Sequence, residues 1–344
     1  MADLPKERLT ACRAFEVSGV DYCGPFFYKP DVRNKAPVKC YMAVFVCFAT
    51  KAVHLELVKD LSTASFLNAL KRFISTRGRP SQIWSDNATN FVGAKNELLD
   101  LKRLFISRNH IESVHKFCMA DSIDWKFIPP RSPHFGGLWE AAVKTAKHHF
   151  YRAVGSCVLN FEEFRTLVCH IASIINSRPL FPLSEDPADL DVLTPAHFLI
   201  GGPSSSFVEP DVTHLQFNRL DGWQRVTYLQ QLFWSRWREE YLTLLQQRSK
   251  WRTPKPGLCV NDIVLVKDEN LPPLRWPLAR ITELIVGKDG VARVAILRTA
   301  TGETRRAANK LCLLPIRESV ESPCLPTGGE CLVTQPEQLE RPRN

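Results

Sequence analysis

Three acidic residues, each in a distinctive setting, constrain this chain more than any other feature. Asp21 ends the apolar stretch Phe15-Glu16-Val17-Ser18-Gly19-Val20 and is followed by Tyr22-Cys23-Gly24-Pro25. Asp86 lies in Ile83-Trp84-Ser85-Asp86-Asn87-Ala88-Thr89-Asn90-Phe91, and Glu140 opens a helical run after Pro133-His134-Phe135-Gly136-Gly137-Leu138-Trp139. Two of the acids read as strand-end residues and the third as helical, although Asp21 and Glu140 stand 119 positions apart. A fold that brings two strand ends and a helix together gathers these carboxylates around two divalent ions. Such ions, roughly 3.5–4 Å apart, suit phosphodiester chemistry. Taken singly, each aspartate is as well explained by a turn or a helix cap. The set of three is what asks for a particular architecture.

The periodicity supplies one. Residues 15–23 and 40–48 read as strands, and Ala52–Val58 alternates Val53, Leu55 and Leu57 with His54 and Glu56, so one face is expected to be half-exposed. Ser62 caps a predicted helix carrying Phe66, Leu67, Leu70, Phe73 and Ile74, which Arg77-Gly78-Arg79-Pro80 ends. Gln82–Ser85 is a short strand leading to Asp86, a helix starts near Asn90, and Trp125–Ile128 is the next strand. Strands followed by alternating helix and strand predict an α/β sheet with helices on both faces. After Gly137, Leu138, Ala141, Ala142, Thr145, Ala146, His149 and Ala153 form one buried stripe. Glu140, Lys144, Lys147 and Tyr151 fall on the opposite side, so a carboxylate and two ammonium groups share a face that could hold metal and grip phosphates. Asn160 and Glu163 read as a capping box for a further helix.

Residues 181–213, rich in Pro, Gly, Ser and acids, read as an extended loop whose carboxylates are solvated. From Trp223 to Trp251 aromatics interleave with arginines, which we read as a helix burying its rings while Arg225, Arg236, Arg238 and Arg248 reach solvent. Residues 258–316 look all-β, with turns at Lys288-Asp289-Gly290 and Thr301-Gly302-Glu303. Residues 221–310 carry 16 Lys or Arg against 9 Asp or Glu, most of the chain's net charge of +9, which suits a polyanionic partner. Arg305 and Arg306 on a predicted strand are the named candidates there. The eleven cysteines lack any Cys-x-x-Cys pair and read as reduced, mostly buried thiols. The longest apolar run, Tyr41–Ala49, is too short to span a bilayer, so no membrane partner is expected.

These motifs resemble the catalytic core of retroviral and retrotransposon integrases, and most of all integrases of BEL/Pao-type elements. The phrases that carry the likeness are Gly19–Pro25, Ser85–Phe91, Pro130–Glu140, Asn176-Ser177-Arg178-Pro179-Leu180 and Leu193-Thr194-Pro195-Ala196-His197-Phe198-Leu199-Ile200-Gly201. The resemblance covers about residues 1–315. It implies an RNase H-like core with a mixed five-stranded sheet, then a helical linker and a small Src-homology-3-like β-barrel. The corresponding boundaries are a linker at 1–10, the core at 11–203, loop and helical linker at 204–254, barrel at 255–316 and a disordered tail at 317–344. Asp21, Asp86 and Glu140 become the catalytic acids, holding two Mg²⁺ or Mn²⁺ ions, with Lys144, Lys147, Arg305 and Arg306 contacting DNA. Double-stranded DNA, a homo-oligomeric assembly and a nuclear site of action, reached from the cytoplasm, are implied with them.

Two departures stand out. The 53 residues between Asp86 and Glu140 exceed the spacing in many retroviral integrases, with the extra length around Phe105–Asp124. Met1–Pro5 looks like the linker that follows the upstream zinc-binding segment usual in such proteins, so the chain is expected to lack that segment; His110, His115 and Cys118 lack a fourth partner, so no zinc is expected. Two other functions fit the same fold. An RNase H-type nuclease would need a further Glu on the first helix, where Ser62–Thr76 has no acid. A transposon-derived DNA-binding protein without catalysis would not need all three acids.

Overall fold

The computed structural model describes residues 12–32, 34–85, 92–96, 123–127, 148, 150, 152, 159–184, 186, 188–205, 207, 209–246, 257–267, 271–288 and 292–314. The chain divides into two units. One comprises Met1–Leu180, Leu193–Glu240 and Asn270–Arg275; the other comprises Phe181–Val192, Tyr241–Glu269 and Trp276–Asn344.

In the first unit, strands β1 (Val17–Tyr28), β2 (Val38–Cys47) and β3 (Val53–Val58) precede helix α1 (Thr63–Arg77), followed by β4 (Gln82–Ser85) and β5 (Asp124–Phe127). They form a sheet in the order β3-β2-β1-β4-β5. β1–β2 and β2–β3 are antiparallel, whereas β1–β4 and β4–β5 are parallel. This is the mixed five-stranded sheet predicted for an RNase H-like core. Strand alternation gives the sheet two buried faces. Ala43, Phe45 and Cys47 pack with Phe66, Leu70 and Phe73 of α1 and with Phe15, Val20, Ile83 and Trp125. The Phe45 and Phe73 rings stack at 4.2 Å. The other face carries Met42, Val44 and Val46, none more than 1% exposed. Helix α2 (Phe161–Asn176) lies on that side, where Phe164 meets Phe26 at 5.9 Å. Its start has the predicted capping box between Asn160 and Glu163.

The stretch Asn176-Ser177-Arg178 turns out to be a stitch between α2 and the sheet edge. Val53 N–H donates to Asn176 Oδ1 at 2.8 Å, and Asn176 Nδ2 donates to Val53 O at 2.7 Å. The side-chain amide thus pairs with β3 as another strand would. Arg178 donates to the carbonyls of Ile175 and Lys51, each at 2.6 Å. Downstream, Ala196 N–H donates to Asn176 O at 3.0 Å, and His197 Nδ1 accepts from Thr194 N–H just before the short helix α3 (His197–Ile200). Backbone groups that an edge strand and a helix end leave over are thereby satisfied.

The expected half-exposed face of β3 is instead covered by α1. His54 is 9% exposed, with its ring against Phe45 and Phe73. Arg77 Nε donates to His54 Nδ1 at 3.3 Å, so the other ring nitrogen carries the proton toward Glu56 Oε1 at 3.1 Å. Arg72 Nε completes the row, donating to Glu56 Oε2 at 2.7 Å. Alternation correctly separated His54 and Glu56 from Val53 and Leu55. It could not show that a helix bearing two arginines lies above them.

Two short strands, β6 (Phe181–Pro182) and β7 (Val192–Leu193), flank the acid-rich loop, and the 25-residue helix α4 (Gly222–Gln246) follows. The second unit holds β8 (Ile263–Val266), β9 (Leu278–Val286), β10 (Ala292–Thr299), β11 (Gly302–Ala307) and β12 (Leu311–Leu313), ordered β11-β10-β9-β8-β12. This five-stranded antiparallel sheet is the strand-rich unit predicted as a small barrel. Val264, Val266, Ala279, Ile281, Ala295 and Leu297 make its core. The acid-rich loop is held through its backbone: Arg280, 5% exposed, donates to the carbonyls of Ser184, Asp186 and Asp189, while the Asp186 and Asp191 side chains stay exposed. Six described cysteines are free thiols, among them Cys40, pushed up to about 12 by burial, but Cys259 is disulfide-bonded, against the reduced reading. Among the described residues no helix is long and apolar enough to cross a membrane.

Two outcomes follow. Asn176→Ala leaves both polar groups of Val53 without their partner and should lower stability by about 2–4 kcal/mol in denaturant titration; a loss under about 0.5 kcal/mol would show that the stitch is dispensable. Glu56 tests the row beneath α1. Burial pushes its pKa up, but hydrogen bonds from His54 and Arg72 and the charge of Arg72 outweigh this, and the net direction is down. Its contribution is present above the ordinary carboxylate pKa and is lost as pH falls through the lowered folded value. Glu56→Gln should therefore flatten the pH dependence of stability below about pH 5. An unchanged acid limb would contradict the assignment.

Candidate active site

Asp21 stands inside the sheet's central strand. Its neighbours on β1, Val20 and Tyr22, point to the α1 side: Val20 joins that core, and the Tyr22 ring lies 6.1 Å from Phe66. Alternation turns Asp21 to the opposite face, level with Val44 of β2. The residue is half-buried, and its Oδ1 accepts the Tyr22 amide at 2.7 Å.

Beyond Asp21 the strand is interrupted, and the register with β2 shifts between Cys23 and Phe26. Gly24 sits there at φ 138, a left-handed value, where a Cβ would come within 2.9 Å of the Tyr41 ring. This bulge lets Phe26 enter the α2 side, 4.7 Å from Phe150. The Gly24-Pro25 pair that marked the motif in sequence therefore redirects the strand just past the acid.

On the other side of β1, Val17, Ser18 and Gly19 pair in parallel with Gln82, Ile83 and Trp84. β4 ends at Ser85, a fully buried residue whose Oγ accepts Trp125 Nε1–H at 2.9 Å. Trp125 thus anchors the last residue before the Asp86 position to β5. Trp84 and Lys126 are directly paired between β4 and β5, and Trp84 pairs with Gly19. All three therefore share the Asp21 face. The Lys126 ammonium lies 5.2 Å over the Trp84 ring and 3.8 Å from Asp124 Oδ2. Sequence reading passed over this cation, although strand alternation alone assigns it to that face.

Asp86, Glu140, Lys144 and Lys147 lie outside the described residues, as do His110, His115 and Cys118. Among the described residues no group of three His, Cys, Asp or Glu side chains is gathered as a metal cage. Of the predicted acids, Asp21 is the one whose surroundings are described.

Arg305 and Arg306 are adjacent and exposed on β11, but they do not share a face. Arg305 is level with Ile296, and Arg306 with the buried Ala295. Arg306 Nη1 donates to Thr304 Oγ1 at 2.9 Å, on the same side of the strand. A straight phosphate track along one face meets only one of these two cations.

Residues 221–314 match the model of a family of unknown function (DUF5641). No curated protein matches the chain. Among solved structures, the chain is similar to a chain of the simian T-cell lymphotropic virus intasome in complex with the PP2A regulatory subunit B56 gamma. Identity there is 13%, covering 88% of this chain and 79% of that one, with a TM-score of 0.35. The HTLV-2 integrase catalytic core domain in complex with magnesium is also similar. Its dimeric form is 17% identical, covering 48% of this chain and 88% of that one at a TM-score of 0.29. The trimeric form is 16% identical, with 51% and 93% covered at 0.31.

Proposed function

We propose that this chain is an integrase-type polynucleotidyl transferase of a BEL/Pao-type retrotransposon, which processes element DNA ends and joins them to target DNA. Asp21, Asp86 and Glu140 are its catalytic acids. The observation that carries this reading is the register of β1 against β4. Val17–Gly19 pairs with Gln82–Trp84. Asp86 follows directly in sequence on Ser85, the last residue of the strand that pairs with β1, and β1 carries Asp21. Two carboxylates carried by neighbouring strands suit a shared pair of ions.

The donor chemistry fits Mg²⁺ or Mn²⁺. Asp21 supplies carboxylate oxygens on a half-buried face, where one of them already takes an amide hydrogen bond. Oxygen-only ligand sets favour such hard cations over zinc. When bound, the ions supply a lowered pKa for the attacking water or 3′-hydroxyl and stabilisation of the departing 3′-oxygen. The protein's own part is positional: three acids that hold the ions, and cations that set the DNA in line. Lys144 and Lys147, one and two turns beyond Glu140 in the helical reading, contact phosphates beside the site. In the second unit Arg306, beside Thr304, is better placed than Arg305 for a phosphate, because Glu303 shares the Arg305 face. Double-stranded DNA is the partner, a homo-oligomer the working form, and the nucleus its place of action.

An RNase H-type nuclease is less well supported, since α1 has no acid in its first turn. Asp86→Asn separates catalysis from binding: it keeps shape and removes a full negative charge from the metal cage. Strand transfer with element-end oligonucleotides in Mg²⁺ or Mn²⁺ should fall to background. DNA affinity should change less than about threefold, because it rests on Lys and Arg contacts to phosphate. Undiminished joining by folded Asp86→Asn protein would refute the mechanism. Wild-type protein that binds DNA yet never joins it would favour a non-catalytic DNA-binding role.

A further inference from the structure

Strand β11 ends one side of the second sheet and has a single neighbour. Among the described residues, the order β11-β10-β9-β8-β12 leaves its far edge without a strand. Its six pairs with β10 run from Gly302 to Ala307 without a shift. Neither a proline nor a bulge interrupts it, two of the devices that blunt such an edge. Glu303, Arg305, Arg306 and Ala307 are exposed, and Thr304 is half-buried.

The pairing decides which backbone groups point outward. The two-residue turn Ala300-Thr301 closes on the pair Thr299 and Gly302. Hydrogen-bonded and non-bonded pairs alternate from there, so Thr304 and Arg306 exchange their bonds with β10. Glu303, Arg305 and Ala307 turn their N–H and C=O groups to the open edge. One of these groups, the Arg305 carbonyl, accepts Arg306 Nη1 at 3.0 Å. Among the described residues no backbone group takes up the others.

The side chains say what kind of strand fits there. Glu303 has Arg298 directly opposite on β10, and Glu283 lies two strands away, beyond Ile296. The excess charge of the edge therefore rests on Arg305 and Arg306, which turn away apolar or basic strands but not acidic ones. Being adjacent, these two project from opposite faces. A straight phosphate track meets only one of them. A strand pleated in step with β11 meets both, through two consecutive acidic residues.

We propose that the β11 edge binds an extended acidic segment of a partner protein, which joins the five-stranded sheet as a further strand. Backbone pairing at Glu303, Arg305 and Ala307 supplies the hydrogen bonds, and two adjacent carboxylates of the segment face Arg305 and Arg306. The inference does not depend on the catalytic reading. It sets this partner against DNA at Arg306, since one guanidinium serves either a carboxylate or a phosphate.

The test uses the full chain and, as probe, a blocked peptide of about ten residues that alternates valine and threonine around two central glutamates. Site-resolved amide exchange should slow by about tenfold or more at Glu303, Arg305 and Ala307. It should change little at Thr304 and Arg306, which are bonded already. Lysine in place of both glutamates should abolish the effect. So should N-methylation of the peptide's amides, which keeps its charge and removes its donors. Arg305→Pro takes one outward N–H from the edge and none from the β10 ladder, so the variant should keep its circular dichroism and lose binding. Arg305→Glu combined with Arg306→Glu should instead transfer binding to the lysine peptide. Unslowed exchange at the three amides, or a lysine or N-methylated peptide that binds wild type equally well, would overturn the proposal. A folded Arg305→Pro chain that binds like wild type, or a double variant that still prefers glutamate, would do the same. Slowing of these amides by duplex DNA would assign the edge to a polyanion instead, and slowing by raised protein concentration alone would assign it to a copy of this chain.

Discussion

The pairing of β1 on both edges is the constraint from which the rest of the first unit follows. An antiparallel partner on one side and a parallel partner on the other make β1 the strand where the sheet changes direction. Parallel pairing needs a crossover, which α1 supplies by leaving β3 and returning the chain at β4. Because side chains alternate, the register that buries Val20 beneath α1 necessarily turns Asp21 to the other face. A slip of one residue would bury the carboxylate among Phe45, Phe66 and Phe73 and expose the apolar set. The acid's position is therefore held by the whole aromatic core on the far side of the sheet, and the desolvation cost of a misplaced carboxylate protects it.

Much of this was legible because the signals were local. Runs of strand-forming apolar residues located β1 and β2, alternation located β3, helical spacing located α1, and the Asn160 and Glu163 pair located the start of α2 within one residue. The turns at Lys288-Asp289-Gly290 and Thr301-Gly302-Glu303 likewise announced the strands of the second unit. What stayed hidden depends on partners distant in sequence. The burial of His54 rests on Arg77, and that of Arg280 on carbonyls more than ninety residues away. Asn176 looked like part of a family phrase, yet its side chain completes a sheet edge 123 residues upstream. Adjacent Arg305 and Arg306 read as a pair in sequence because a charge count has no faces; the pleat separates them.

The two units divide the tasks in a way their residues make intelligible. The first offers a half-buried carboxylate on a rigid central strand, beside a strand end pinned by the Trp125–Ser85 hydrogen bond. Rigid placement matters for chemistry that consists largely of alignment, since small displacements of metal-holding groups cost rate steeply. The second unit presents a sheet face on which exposed aliphatic groups and charges of both signs are mixed. Within the basic excess summed over residues 221–310, individual cations have separate settings: Arg306 lies beside Thr304, and buried Arg280 organises a loop.

The central claim, that Asp21, Asp86 and Glu140 hold the same metal ions, is tested most directly by iron-mediated backbone cleavage. Fe²⁺ takes oxygen-ligand sites in place of Mg²⁺, and with ascorbate and peroxide it generates hydroxyl radicals that cut the chain near the ion. Mass spectrometry of the fragments should show three cleavage zones, around residues 21, 86 and 140, all suppressed together by excess Mg²⁺ and all lost in Asp21→Asn. Cleavage near only one of these positions, or zones that respond to Mg²⁺ independently of one another, would contradict a shared site.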